Sequence, residues 1–148
     1  MKNAGALATS AIALLPLING YSAKASVTQV MIYRSPTCGC CEKWADHLSA
    51  NGFNVSLESR EDLTQIKNKL GIPPDLQSCH TAIVNGYVIE GHVPAEDIKS
   101  LLEFRPEAKG LAVPGMPVGS PGMEMGTRTE NYEVILFGPE NRSVFANH

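Results

Sequence analysis

The sequence has no excess of positive charge. Its formal net charge is −3 at pH 7, so nothing draws it electrostatically to nucleic acid or to an anionic membrane. It has no apolar run long enough to span a bilayer. No arginine precedes Arg34, which argues against a twin-arginine export signal and hence against an exported iron–sulfur protein. No Ser-His-Asp arrangement, paired-carboxylate site, phosphate-binding glycine loop or internal repeat is legible. The 148 residues suffice for one domain with its own core and not for two.

The N-terminus has the layout of a secretory signal peptide. Lys2 supplies the positive start, Ala11 to Ile18 a short apolar stretch, and Ala23-Lys24-Ala25 an A-x-A cleavage site. An uncleaved anchor is the alternative, and Pro16 and the cleavage site argue against it. The expected division is a signal peptide over residues 1–25 and a single domain over residues 26–148, exported to the periplasm. The leader carries Lys2 and Lys24 and no acid, so its removal takes the formal charge from −3 to −5. No membrane insertion of the remaining chain is expected.

The remaining chain alternates strand and helix signals. Val27 to Tyr33 is β-rich and is broken by Ser35-Pro36-Thr37. A helix is predicted from about Cys38 to Ala50, with Cys41, Trp44, Ala45 and Leu48 on one apolar face. Asn51-Gly52 ends it, and Phe53, Val55 and Leu57 alternate as a second strand. Ser59 is the predicted cap of a second helix, whose buried stripe is Leu63, Ile66 and Leu70. Thr81 to Val84 and Tyr87 to Glu90 flank Asn85-Gly86, a strong signal for a tight hairpin. Pro94 opens a third helix with Ile98, Leu101 and Leu102 inward, ending near Arg105-Pro106. This β-α-β-α-β-β-α order is that of an α/β, thioredoxin-like fold. Residues 110–126 are so rich in glycine and proline that no regular element is expected there. Tyr132 to Phe137 and Ser143 to Phe145 predict a further hairpin that extends or pads the sheet.

Four cysteines lie beyond the leader: Cys38, Cys40, Cys41 and Cys79. Cys38 and Cys41 form a C-x-x-C pair where a strand gives way to a helix, and backbone N–H groups at a helix start favour thiolate. Cys79 stands just before the third strand, in Ser78-Cys79-His80, where enzymes of the thioredoxin-like fold usually carry a cis-proline. That topology brings Cys79 across from Cys38 and Cys41. Four crowded thiolates cannot all stay charged without cations; they are protonated, paired as disulfides or neutralised by metal. Of the three possible pairings, only Cys38–Cys41 with Cys40–Cys79 avoids joining near neighbours in sequence.

Ligand softness narrows the metal to Cu(I), zinc or an iron–sulfur cluster. Met116, Met123 and Met125 lie in the Gly/Pro-rich segment, and thioethers serve Cu(I) far better than zinc, which favours copper. The bland readings are disulfide staples for the cysteines and a flexible cover over the core for the methionines. His80 is either a metal ligand, a donor to one, or an ordinary loop histidine. His47 is expected in solvent, His92 at the start of the third helix, His148 disordered at the terminus, and Trp44 in the core.

Three stretches together resemble the CopG-type copper-resistance proteins, long labelled a metal-binding domain of unknown function. They are Tyr33-Arg34-Ser35-Pro36-Thr37-Cys38-Gly39-Cys40-Cys41, Ser78-Cys79-His80-Thr81-Ala82, and Gly115-Met116-Pro117-Val118-Gly119-Ser120-Pro121-Gly122-Met123-Glu124. The resemblance covers essentially the whole chain after the leader. It implies a periplasmic thioredoxin-like protein, encoded among copper-handling systems, whose cysteines bridge several copper ions. By motif match it makes Cys38, Cys40, Cys41 and Cys79 the ligands. Met116 and Met123 match the motif that would close the site, and Met125 falls just past it.

The leading expectation is therefore a copper-binding protein for copper tolerance, with copper ions as cargo and other periplasmic copper-handling proteins as candidate partners. It would sequester or pass on Cu(I), or interconvert Cu(I) and Cu(II). Two rivals stand beside it: a thiol–disulfide oxidoreductase using Cys38 and Cys41, and a zinc-binding structural module.

Overall fold

The computed structural model describes residues 26–148; the expected leader and its cleavage site lie outside the described residues. The strands are β1 (Gln29–Arg34), β2 (Asn54–Ser59), β3 (His80–Val84), β4 (Tyr87–Glu90), β5 (Gly110–Ala112), β6 (Glu133–Phe137) and β7 (Arg142–Asn147). The helices are α1 (Gly39–Ala50), α2 (Thr64–Lys69) and α3 (Ala95–Phe104), with one 3-10 turn at Pro74–Leu76. The strands form one sheet in the order β2-β1-β3-β4-β5-β6-β7.

The first four strands have the expected thioredoxin-like pairing: β1 and β2 are parallel, and β3 runs antiparallel to both β1 and β4. Asn85 and Gly86 both take positive φ, 46° and 86°, which closes the β3–β4 hairpin in two residues. One sheet face, carrying Val30, Ile32, Ala82, Val84, Ile89, Leu111 and Val134, packs on Trp44 and Leu48 of α1 and on Ile98 and Leu101 of α3. These side chains are wholly or almost wholly buried. A smaller cluster joins Val88, Ala112 and Phe137 to Ile72 and Leu76.

Four sequence expectations need correction. Residues 110–112, read as irregular, form β5, parallel to β4. Glycine permits this, because a Cβ at Gly110 would overlap the Val88 carbonyl. Ser59 caps no helix: β2 runs through it, and the Asp62 carboxylate instead accepts from the Thr64 amide at 2.8 Å. Leu63, Ile66 and Leu70 are only half-buried, and the buried side chain of α2 is Lys67. His148 is ordered. Its backbone pairs with Tyr132, and its ring stacks on Tyr132 and meets Asp97 at 2.8 Å. The last hairpin, β6–β7, extends the sheet by two strands as expected.

Candidate metal centre

Cys38 is the residue from which α1 starts, held in extended geometry. Arg34 shapes the loop before it, donating to the carbonyls of Ser35 and Pro36 at 2.9 and 3.0 Å and to Glu42 of the first helical turn at 2.8 Å. Cys79 reaches the same place through sheet register. β1 and β3 pair antiparallel with Arg34 opposite His80, so the chain leaving β1 and the chain entering β3 run side by side. The sulfurs of Cys38, Cys40, Cys41 and Cys79 all lie within 4.8 Å of one another. Cys38 and Cys41 form a disulfide. Cys40 remains a thiol, 3.5 Å from the Cys38 sulfur and 3.8 Å from that of Cys79. The convergence read from the sequence is therefore present, and no cis peptide occurs among the described residues.

A second group shares Cys79. His80 and His92 each offer a ring nitrogen, and with the Cys79 sulfur these also lie within 4.8 Å of one another. His80, singled out from the sequence, is fully buried against Trp44, ring centroids 4.3 Å apart. Its Nδ1 is 3.5 Å from the Cys79 sulfur, and its buried Nε2 has no partner among the described residues. Trp44 is held in place in turn by its indole N–H, which donates to the Val93 carbonyl at 2.8 Å.

Sequence reasoning missed His92, placing it only near a helix start. It is buried, with Nε2 3.1 Å from the Cys79 sulfur. Its Nδ1 lies 2.8 Å from the Pro121 carbonyl, which can only accept. That contact assigns the proton to Nδ1 and turns the Nε2 lone pair toward Cys79. The signal was available in the hairpin. A two-residue turn pairs Val84 with Tyr87 and Thr81 with Glu90, and the same register continued two residues sets Cys79 opposite His92. His47 was also misplaced as solvated: it is half-buried, and its Nε2 accepts from the Ala95 amide at 3.1 Å, capping α3.

Burial, and then the neighbouring Cys40, push the Cys79 thiol up to about 11. At neutral pH it is protonated, and Nε2 of the neutral His92 beside it can accept a hydrogen bond from that thiol. Burial also lowers His92, and lowers His80 further. A metal arriving here displaces a proton from sulfur and meets uncharged imidazoles.

The Gly/Pro-rich segment hydrogen-bonds to the site at two points. The Ser78 hydroxyl donates to the Gly115 carbonyl at 2.5 Å, and Pro121 receives the His92 N–H. Just past Pro121, Met123 is half-buried, whereas Met116 and Met125 are 52% and 57% exposed. Met125 forms a small bridge with Arg128.

Two solved structures, both described as copper resistance protein CopG, match this architecture. Form 2 is 44% identical with a TM-score of 0.80, covering 83% of this chain and 99% of its own. Form 1 is 45% identical with a TM-score of 0.79, covering 83% of this chain and 98% of its own. The chain belongs to the CopG family. A family model described as a protein of unknown function, DUF411, also matches, over residues 76–123, a span holding both Cys79 and His92. No curated protein sequence matches. The CopG relatives and the cysteine cluster support a copper-related function. No helix among the described residues is long and apolar enough to cross a membrane.

Proposed function

We propose that this protein is an exported, periplasmic copper-binding protein that holds Cu(I) on the thiolates of Cys38, Cys40, Cys41 and Cys79 and serves copper tolerance. The convergence of Cys79 on the Cys38–Cys41 segment, four sulfurs within 4.8 Å, carries the reading. A sulfur group this crowded is stable when cations neutralise it, and thiolates select soft ions such as Cu(I). Each thiolate can bridge two ions, so the group has room for a multinuclear cluster, as the family resemblance implies. His80 and His92 add imidazole ligands on the Cys79 side. Met116, Met123 and Met125 are the candidate thioethers.

The full thiolate set exists only after the Cys38–Cys41 bond is reduced, and that couple also offers redox chemistry. Two Cu(I) ions can each give one electron, and two protons from solvent complete the two thiols, leaving two Cu(II). In the reverse direction the dithiol reduces two Cu(II) and releases the protons.

The test is anaerobic loading of reduced protein with Cu(I), followed by competition with a chromogenic Cu(I) chelator. Wild type is expected to retain copper, and Cys79→Ser to lose most of it. A wild type stripped by a moderate competitor, or a serine variant indistinguishable from it, rejects the reading. One observation favours a second function: the Cys38–Cys41 disulfide at the start of α1 is the arrangement of a thiol–disulfide oxidoreductase. Insulin reduction by metal-free protein separates the two.

A further inference from the structure

Behind Cys79 lies a buried charge pair that the copper reading leaves without a role. Lys67 of α2 is 5% exposed and Glu90 of β4 is not exposed at all, and the two form an ion pair. Thr81, also fully buried, donates its hydroxyl proton to Glu90 Oε2 at 2.6 Å and accepts from Lys67 Nζ at 2.9 Å. The remaining partner is a main-chain group: the Ser78 N–H donates to Glu90 Oε1 at 2.7 Å.

Burying two charges is expensive, and such pairs contribute little stability compared with apolar side chains of the same volume. Placement says more than energy here. The network bonds the residue before Cys79 and the residue two beyond it. It is net neutral, so it adds no net charge beside Cys79. A cis-proline commonly shapes this loop in thioredoxin-like enzymes, and no cis peptide occurs among the described residues.

We propose, resting on the copper reading above, that Glu90, oriented by Lys67, is a positioning residue: its carboxylate holds the Ser78 N–H and so fixes the Cys79 sulfur against Cys40 and His92. The loop has other anchors, the Ser78 hydroxyl on Gly115 and the Gly91 N–H on the His80 carbonyl, but among the described residues only Glu90 grips the main chain at Ser78 from inside the core.

Two double variants separate positioning from bulk stability. Lys67→Met with Glu90→Leu removes both charges and the acceptor. Lys67→Met with Glu90→Gln removes both charges but keeps an oxygen where the Ser78 N–H needs one. The leucine pair is expected to keep its melting temperature while its Cu(I) affinity, read by chelator competition, falls about 10- to 100-fold, the usual penalty for losing a group that orients a ligand. The glutamine pair is expected to stay near wild type. A second readout needs no metal. With Cys38–Cys41 oxidised, a diazene oxidant takes two hydrogens from Cys40 and Cys79 to form their disulfide and becomes a hydrazine. That rate is expected to fall about tenfold in the leucine pair only, because it tracks the thiols' proximity. Equal affinities and equal crosslinking rates in the two pairs overturn the proposal. Crosslinking that separates the pairs in a protein that holds no copper upholds the positioning role and rejects the copper reading alone. If the leucine pair does not fold, hydrogen exchange decides in the wild type: the Ser78 amide is expected to be strongly protected, and rapid exchange there overturns the proposal.

Discussion

Gly122→Ala is the substitution that best tests how the methionine segment closes the site. Gly122 has φ of +85°, and a Cβ added to it would lie 2.7 Å from the Cys40 carbonyl oxygen and 2.9 Å from the Trp44 amide nitrogen. Both are backbone atoms of α1 and cannot swing aside. If the loop stayed in place, alanine would add about 1–2 kcal/mol for the left-handed conformation and about 1–3 kcal/mol for the overlap. Lifting the loop off the helix instead forfeits mainly the His92–Pro121 hydrogen bond, worth about 1 kcal/mol. The less costly route wins. The loop moves, stability falls by only about 1–2 kcal/mol, and the melting temperature drops by about 4–8 °C.

Copper binding is the more sensitive readout. Without the Pro121 carbonyl, nothing holds the proton on Nδ1 of His92, and its Nε2 is no longer aimed at Cys79. Cu(I) affinity, measured by chelator competition on reduced protein, is expected to fall about tenfold. Gly126→Ala is the matched control. Gly126 has φ of +65° with nothing within 4 Å of an added Cβ, so it carries the conformational strain without the overlap. Its melting temperature should drop by a similar few degrees, but its copper affinity should not change. If the two variants behave alike in both measurements, the segment does not close over the cysteines.

Copper capacity should depend on the protein's redox state: protein with Cys38–Cys41 oxidised offers two free thiols and should retain clearly less Cu(I) per chain than reduced protein, and equal stoichiometry by elemental analysis would contradict the four-sulfur site. Trp44, the chain's one tryptophan, packs against the His80 ring, so its fluorescence should change as copper titrates in and stop changing when binding saturates; an unaltered spectrum with copper bound places the metal elsewhere. Metal-free stability should fall on acidification. Burial lowers His80, His92 and His47 below their ordinary 6.5, so below that pH the unfolded chain binds protons that the folded chain refuses. The stability is full above pH 6.5 and declines beneath it, and buried His80 alone gives a slope approaching about 1.4 kcal/mol per pH unit. Urea midpoints taken from about pH 7.5 to about pH 5 check this, and a midpoint that rises on acidification refutes it.

Much of the fold is legible because it is local. The apolar face of α1 repeats at helical spacing, and Asn85-Gly86 closes a hairpin whose φ angles few other pairs tolerate. Cys79 could be placed because strand order alone puts the start of β3 beside the end of β1. β5 was hidden by composition. Glycine reads as a breaker in sequence, yet at Gly110 it lets two strands approach. Lys67 and Glu90 were hidden for another reason. Apolar periodicity marks charged residues as solvent-facing, and nothing local shows that two charges, 23 residues apart, meet inside the core.

His92 lies between these cases. The turn that makes the hairpin recognisable also fixes its register, and a register is a statement about every later pair of residues, not only those in the strands. Asn85-Gly86 sets Thr81 against Glu90 and, two steps on, Cys79 against His92. One short turn therefore aligns both the imidazole that faces the sulfur and the carboxylate that holds the loop before it. A one-residue insertion in that turn would shift both at once, separating His92 from Cys79 and Glu90 from Ser78, while leaving the Cys38, Cys40 and Cys41 segment on α1 untouched. Such a variant should still form the Cys38–Cys41 disulfide yet crosslink Cys40 to Cys79 slowly. If it crosslinked at the wild-type rate, the Cys79 sulfur would be held in place by the pairing of β3 with β1 alone.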